Sequence, residues 1–378
     1  MEPITHFLTG ACIGRTGLNR KTAYATLVAV LAAEAADLDV LWGFTGPVET
    51  LKHHRGFTHS FIGAPVVAAV VVAVIWLLHI WREQWRLRKA KASLQNTKAP
   101  PAPAPAPAKQ PVRWWWLYWT ALIAALSHIL LDWTNNYGVR PFFPFNSRWY
   151  AGSIMFIAEP VLWALFFLAL VLPWLFGLAD REIGARQKPF RGRGWAIFAL
   201  AGMVTLWCWR WAEHAQALAM LENLQVTSAP AKRIALEPYS VNPFRWHAIL
   251  ETADFYQTAE IDTWTDSIDS DPQLDVLYKP SVTAASEAAK RTFLGQVYLD
   301  WGTWAVVRDV GQEPAPGMEP PQLPPGRHWT TIKFTDLRFA YPFLGTGRFE
   351  GRTPLAGWVY IVDNHIDAGE AMEGRQQR

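Results

Sequence analysis

From position 61 to position 81 the chain carries no aspartate, glutamate, lysine or arginine. A bilayer core takes about 20 apolar residues per helix, so this stretch commits the chain to a membrane before any other feature is read. Apolar runs follow at 114–131, 154–178 and 195–212. Segment 22–42 is a further span, with Glu34, Asp37 and Asp39 in its second half. Residues 3–14 are apolar but too short to cross.

Basic residues set the direction of these helices. Loop 82–113 holds Arg82, Arg86, Arg88, Lys89, Lys91, Lys98, Lys109 and Arg113; loop 181–193 holds Arg181, Arg186, Lys188, Arg191 and Arg193. Positive charge collects on the cytoplasmic side, so both loops are expected inside. Helix 61–81 then runs inward, 114–131 outward, 154–178 inward and 195–212 outward. Helix 22–42 runs outward, with Arg15, Arg20 and Lys21 inside. An Ala/Pro tract within 99–111 reads as an extended cytoplasmic linker.

Beyond 212 the pattern changes. Residues 213–225 extend the last helix. Alternating β-type runs follow at 244–251, 255–264, 304–308, 328–334 and 358–362, and a helical stretch covers 282–299. The expected architecture is an α-helical transmembrane bundle (1–212) of about five spanning helices plus a short re-entrant N-terminal helix. An extracytoplasmic α+β domain with an antiparallel sheet (213–378) follows it.

Composition narrows the function classes. The net charge of +3 is too small to call for a nucleic-acid partner. The two cysteines, Cys12 and Cys208, each lie in an apolar stretch, which argues against a disulfide framework or a cysteine-based zinc site.

The chemistry is concentrated at helix ends. His6 lies in the opening segment, Asp37 and Asp39 at the outward end of 22–42, and His53, His54, Arg55, Gly56, Thr58, His59 and Ser60 just before 61–81. His128 and Asp132 end helix 114–131, four residues apart and so on one face. The charge pattern places the last three groups together on the outer face. His6 joins them only if residues 3–14 enter from outside and turn near Arg15. Histidine nitrogen with carboxylate oxygen suits zinc or a similar divalent ion, one or more. Candidate ligands are therefore His6, Asp37, His53, His54, His59, His128 and Asp132.

Asp37 and Asp39, two apart, cannot share a face of a regular helix. Either the helix frays there, or one ligates while the other orients a histidine. Either could be a general base, and Arg55 could hold an anionic substrate or developing charge. Thr58 is placed to cap helix 61–81. Thr134, Asn135, Asn136 and Tyr137 could line a polar mouth, with Arg140, Arg148 and Glu159 nearby.

At these residues the sequence resembles the YdjM-like family of bacterial inner-membrane-associated metal-dependent hydrolases. The shared features are Thr5-His6, Asp37-x-Asp39, His53-His54-Arg55-Gly56-x-Thr58-His59-Ser60 and His128-x-x-x-Asp132 followed by Thr134 and Gly138. Pro144-Phe145 and Arg148 also fit, and the resemblance covers about residues 1–180. Where the family often shows Asp-Pro, this chain has Glu159-Pro160. The family is distantly similar to zinc-dependent phospholipase C and P1-type nucleases, which implies a phosphoesterase. The expected function is a membrane-bound hydrolase using a metal-activated water on a lipid or envelope substrate at the outer face. The alternative is a non-enzymatic metal sensor, transporter or membrane anchor for the C-terminal domain. A transporter would need charges continuing through the bilayer, and the spans hold almost none.

Overall fold

The computed structural model describes residues 1–95, 110–184, 192–223, 227–271, 273–342 and 353–377. The 99–111 linker lies almost wholly outside the described residues, as does much of the second basic loop.

The chain opens with a helical hairpin. Helix α1 (Pro3–Ile13) runs into a π-helical turn, Gly14–Leu18, then the single turn α2 (Asn19–Lys21), and returns as α3 (Ala25–Glu34). Two glycines let the arms touch. A Cβ on Gly10 would sit 2.8 Å from the Ala29 carbonyl oxygen, and one on Gly14 would sit 2.5 Å from Thr26 Cα. Such close backbone approach is the use of small residues spaced four apart in membrane helices.

This hairpin corrects the expected span at 22–42. Helix α3 has only ten residues, about 15 Å of helix, half of a bilayer core. It gives way to a tighter 3-10 segment, Ala35–Phe44. The run of apolar residues continues there without continuing the helix. Leu38, Val40, Leu41, Trp42 and Phe44 are all exposed.

Helix α4 (Pro47–His53) and a 3-10 turn, Phe57–His59, lead to α5 (Gly63–Gln95) and then α6 (Trp114–Thr134). Helix α7 (Pro160–Glu182) and α8 (Arg193–Asn223) complete the helical part. Among the described residues three helices are long and apolar enough to cross a membrane: Gly63–Ala92, Trp114–Thr134 and Pro160–Glu182. The start of α5 differs from expectation. Ser60, not Thr58, serves it, its Oγ accepting the Gly63 N–H at 2.9 Å. Segment 154–159 is not helical, and Glu159 stands at the N-cap of α7.

The C-terminal part holds two antiparallel sheets rather than one. The first orders β1 (Arg233–Pro238), β2 (Arg245–Glu251), β3 (Phe255–Asp262) and β4 (Ser267–Asp269), with β5 (Val276–Tyr278) also paired to β3. The expected helix at 282–299 is two helices, α9 (Ala284–Lys290) and α10 (Phe293–Trp301). They part at Thr292, whose side chain accepts the Gly295 N–H and caps the second. The second sheet runs β10 (Arg375–Gln376), β9 (Ile366–Met372), β8 (Gly357–Val362), β7 (Trp329–Asp336), β6 (Ala305–Asp309).

The two parts share a core. Val48, Leu51 and Tyr137 pack into one cluster with Leu294, Tyr298, Trp301, Phe334 and Val359. A buried polar seam runs beside it. Arg338 pairs with Asp336 at 2.9 Å and donates to the Asn136 carbonyl at 2.9 Å. Glu159 and Arg210 form a buried pair at 3.2 Å, and Glu159 also accepts the Val241 N–H at 3.0 Å. Asn135 and Asn136 are buried in this framework, so they support the fold instead of lining a mouth. Paired buried charges of this kind hold register between elements, because removing one partner strands the other.

Candidate metal centre

Asp37, His59, His128 and Asp132 each turn one ligand-type atom toward a common point, all within 4.8 Å of one another. The four arrive on three supports. Asp37 is presented by the 3-10 segment after α3, His59 by the short turn before α5, and His128 with Asp132 by the last turns of α6. His59 Nε2 lies 2.9 Å from His128 Nε2. Asp132 Oδ2 lies 3.3 Å from each of those nitrogens. Asp37 Oδ1 lies 3.3 Å from His59 Nε2 and 3.5 Å from His128 Nε2.

The surrounding hydrogen bonds fix the protons. His128 Nδ1 sits 2.6 Å from the Ala33 carbonyl oxygen, which only accepts, so the proton is on Nδ1. His59 Nδ1 sits 3.2 Å from Asp39 Oδ2 and carries its proton for the same reason. The two Nε2 atoms therefore face each other and two carboxylate oxygens. Asp132 Oδ2 has no hydrogen-bond donor among the described residues. Two imidazole nitrogens and two carboxylate oxygens brought this close are a ligand set of the kind that could hold a metal ion.

Asp39 has a different task from Asp37. Its Oδ1 accepts from His54 Nδ1 at 2.8 Å. Its Oδ2 takes the Arg55 N–H at 2.8 Å and the Thr58 hydroxyl at 3.3 Å, besides His59. Burial alone would raise this carboxyl; the bonds from His54 and His59 outweigh it and hold Asp39 below the usual carboxylate range. Asp37, Asp39 and His54 also converge within 4.8 Å, but both Asp39 oxygens are already engaged. The 3-10 geometry thus resolves the spacing of two: one carboxylate faces the cluster and the other orients its histidines.

His6 reaches the site, as the re-entrant reading requires. Its ring stacks on His128 at 3.7 Å, and its Nε2 lies 3.5 Å from Asp132 Oδ1. The buried His6 Nδ1 has no hydrogen-bond partner among the described residues. The Met1 amino group also contacts Asp132. His54 lies beside the cluster; burial lowers its pKa, against the pull of Asp39. His53 turns away, stacked on Trp42 at 4.2 Å with Nε2 3.1 Å from Glu49. It belongs to neither group of converging ligand atoms.

Arg55 is buried and its cation is spent inside the protein. It pairs with Asp132 Oδ1 at 2.9 Å and donates to the Gly138 carbonyl at 2.7 Å. Its backbone lies at φ 54°, a left-handed turn that swings the loop from His54 to His59. Arg140 clamps that loop by donating to the carbonyls of Lys52 (2.7 Å), His54 (3.0 Å) and Arg55 (3.4 Å). The Ala33 carbonyl was not legible as a site group, because a main-chain acceptor leaves no trace in residue identity.

Fold and site together define a membrane protein with a buried aspartate–histidine cluster where its first helical hairpin meets α6. The chain belongs to the YdjM inner membrane protein family, whose profile matches residues 1–217. It is 24% identical over 185 residues to the uncharacterized protein YfhP of Bacillus subtilis (strain 168), covering 47% of each chain. The chain therefore spans about half the length of that curated relative. No solved structure matches.

Proposed function

We propose that this protein is a membrane-bound, zinc-dependent hydrolase acting on a phosphoester, or another ester, of a lipid or envelope substrate at the outer face of the bacterial inner membrane. One observation carries the reading: Asp37, His59, His128 and Asp132 each bring a ligand-type atom within 4.8 Å of the others. Ligands about 2.0–2.1 Å from a tetrahedral zinc ion stand about 3.3 Å apart. The contacts of 3.3 to 3.5 Å between carboxylate oxygens and imidazole nitrogens match that spacing.

Bound there, zinc would supply the Lewis acidity that activates water and polarises the scissile group. The chain's own residues do the rest. Asp39 fixes the tautomer of His59 and orients His54. His54 donates its Nδ1–H to Asp39, which leaves the Nε2 lone pair free to take a proton from water. Arg55 balances the charge of Asp132. Asp37, 20% exposed, is the cluster's opening toward solvent. The distribution of lysine and arginine supports an outward-facing site, with the C-terminal domain on the same side.

The test is metal analysis of the full chain purified in neutral detergent, followed by assay on a chromogenic phosphodiester. Stoichiometric zinc, activity lost to a chelator and restored by zinc, is expected. Protein that binds no zinc after reconstitution, or that hydrolyses at full rate without it, overturns the reading. A C-terminal alkaline-phosphatase fusion is expected to be active; an inactive one would place the site in the cytoplasm.

A further inference from the structure

A cavity of about 460 Å³ opens between the 3-10 segment that carries Asp37 and the C-terminal domain. Val40, Leu41 and Phe44 form its apolar side. Tyr137 lies at its inner end, 5.6 Å from the His54 ring. The opposite wall comes from the β9–β10 turn, which places Glu373 and Arg375 on the lining. Both are exposed. The apolar wall is continuous with the exposed Leu38 and Trp42, on a segment that leaves the membrane hairpin directly. One side of the cavity therefore suits a hydrocarbon chain and the other presents a cation.

We infer that this cavity binds a phosphate-headed lipid-type amphiphile, with its alkyl chain along Val40, Leu41 and Phe44 and its phosphate at Arg375. The C-terminal domain thereby selects the substrate. The inference rests on the hydrolase reading for what is done to the ligand, but not for its binding. Charge complementarity singles out the phosphate: Arg375 offers a forked donor suited to its oxygens. Glu373, two residues away, opposes a second negative charge, so its removal should tighten binding. The cavity wall from Leu355 to Arg375 lies beyond the family-matched residues 1–217. The phosphate preference thus belongs to the C-terminal domain, and the alkyl wall to the family-matched part.

Binding is read by native mass spectrometry of the full chain in maltoside detergent, without turnover. The probes are dodecyl phosphate, butyl phosphate and dodecyltrimethylammonium. Dodecyl phosphate is expected to bind at least tenfold tighter than either of the others. Arg375→Ala and Leu41→Ser, both at exposed positions, should each weaken it at least fivefold, Arg375→Lys less so, and Glu373→Gln should strengthen it. Wild-type affinity in both weakening variants overturns the proposal. So does equal binding of butyl phosphate or of the ammonium amphiphile. A protein that binds dodecyl phosphate in this pattern yet hydrolyses nothing would sink the hydrolase reading and leave this one standing.

Discussion

Asp39 Oδ2 lies 3.2 Å from His59 Nδ1, with the Thr58 hydroxyl 3.1 Å from the same nitrogen, and the carboxylate there favours a proton on Nδ1. An asparagine there can offer its amide N–H instead of an acceptor, and the ring is then free to turn its proton inward. Asp39→Asn should weaken zinc binding about 10–100-fold, the usual cost of losing a partner that orients a ligand. Asp37→Ala and His128→Ala should abolish it. Competition with a chromophoric chelator measures all three. Equal losses for Asp39 and Asp37 would mean that Asp39 is itself a ligand.

His54 separates binding from chemistry. Its Nδ1 is committed to Asp39, and no contact places its Nε2 among the four converging atoms. His54→Ala should keep stoichiometric zinc and lose about 10²–10⁴ in hydrolysis. Loss of the metal in that variant would make His54 a ligand and remove the proposed base.

The hairpin is the next test. A side chain on Gly14 meets the Thr26 backbone, which cannot step aside as a flexible side chain would. Gly14→Val should destabilise the protein by about 1–3 kcal/mol, as overpacking does. It should also reduce zinc occupancy, because α3 carries the Ala33 carbonyl and leads into Asp37. Unchanged melting and unchanged zinc would show that the arms are not held at this distance.

Glu237 gives a pH signature outside the membrane. Burial pushes its carboxyl up to about 8, against the opposing pull of Arg338. The folded protein therefore holds this proton more tightly than the unfolded chain, whose value is near 4.5. Stability from this group is full below about pH 4.5 and is lost as pH rises through 8. Melting temperatures of wild type and Glu237→Gln should diverge over that window, with the variant the more stable at pH 9. Parallel curves would show that Glu237 ionises freely in the seam.

The candidate site was largely legible because its residues fall at helix ends in short, dense groups. His128 and Asp132 needed only the helical repeat, and the His53–His59 string needed only its own density. The choice between His53 and His54 was not legible. Adjacent residues differ only in which way the backbone turns, and Arg55 sets that turn through a left-handed conformation. The length of α3 was hidden for a related reason. The apolar run from Leu38 to Phe44 reads as more helix, yet it forms a tight exposed segment. Strands β2, β3, β6, β7 and β8 were visible from alternation. Strand β9 was not: its outward half, Ile366 to Ala368, is exposed and its first positions carry no alternation.

Tyr137 belongs by sequence to the membrane half and by packing to the other, along with Val48 and Leu51. Cutting the chain after residue 217, where the family match ends, would leave these side chains facing water. The boundary that homology draws is therefore not a boundary of folding. The two parts are fastened through helix α4 and the loop after α6, beside the candidate ligands, and would have to be expressed and engineered as a single piece.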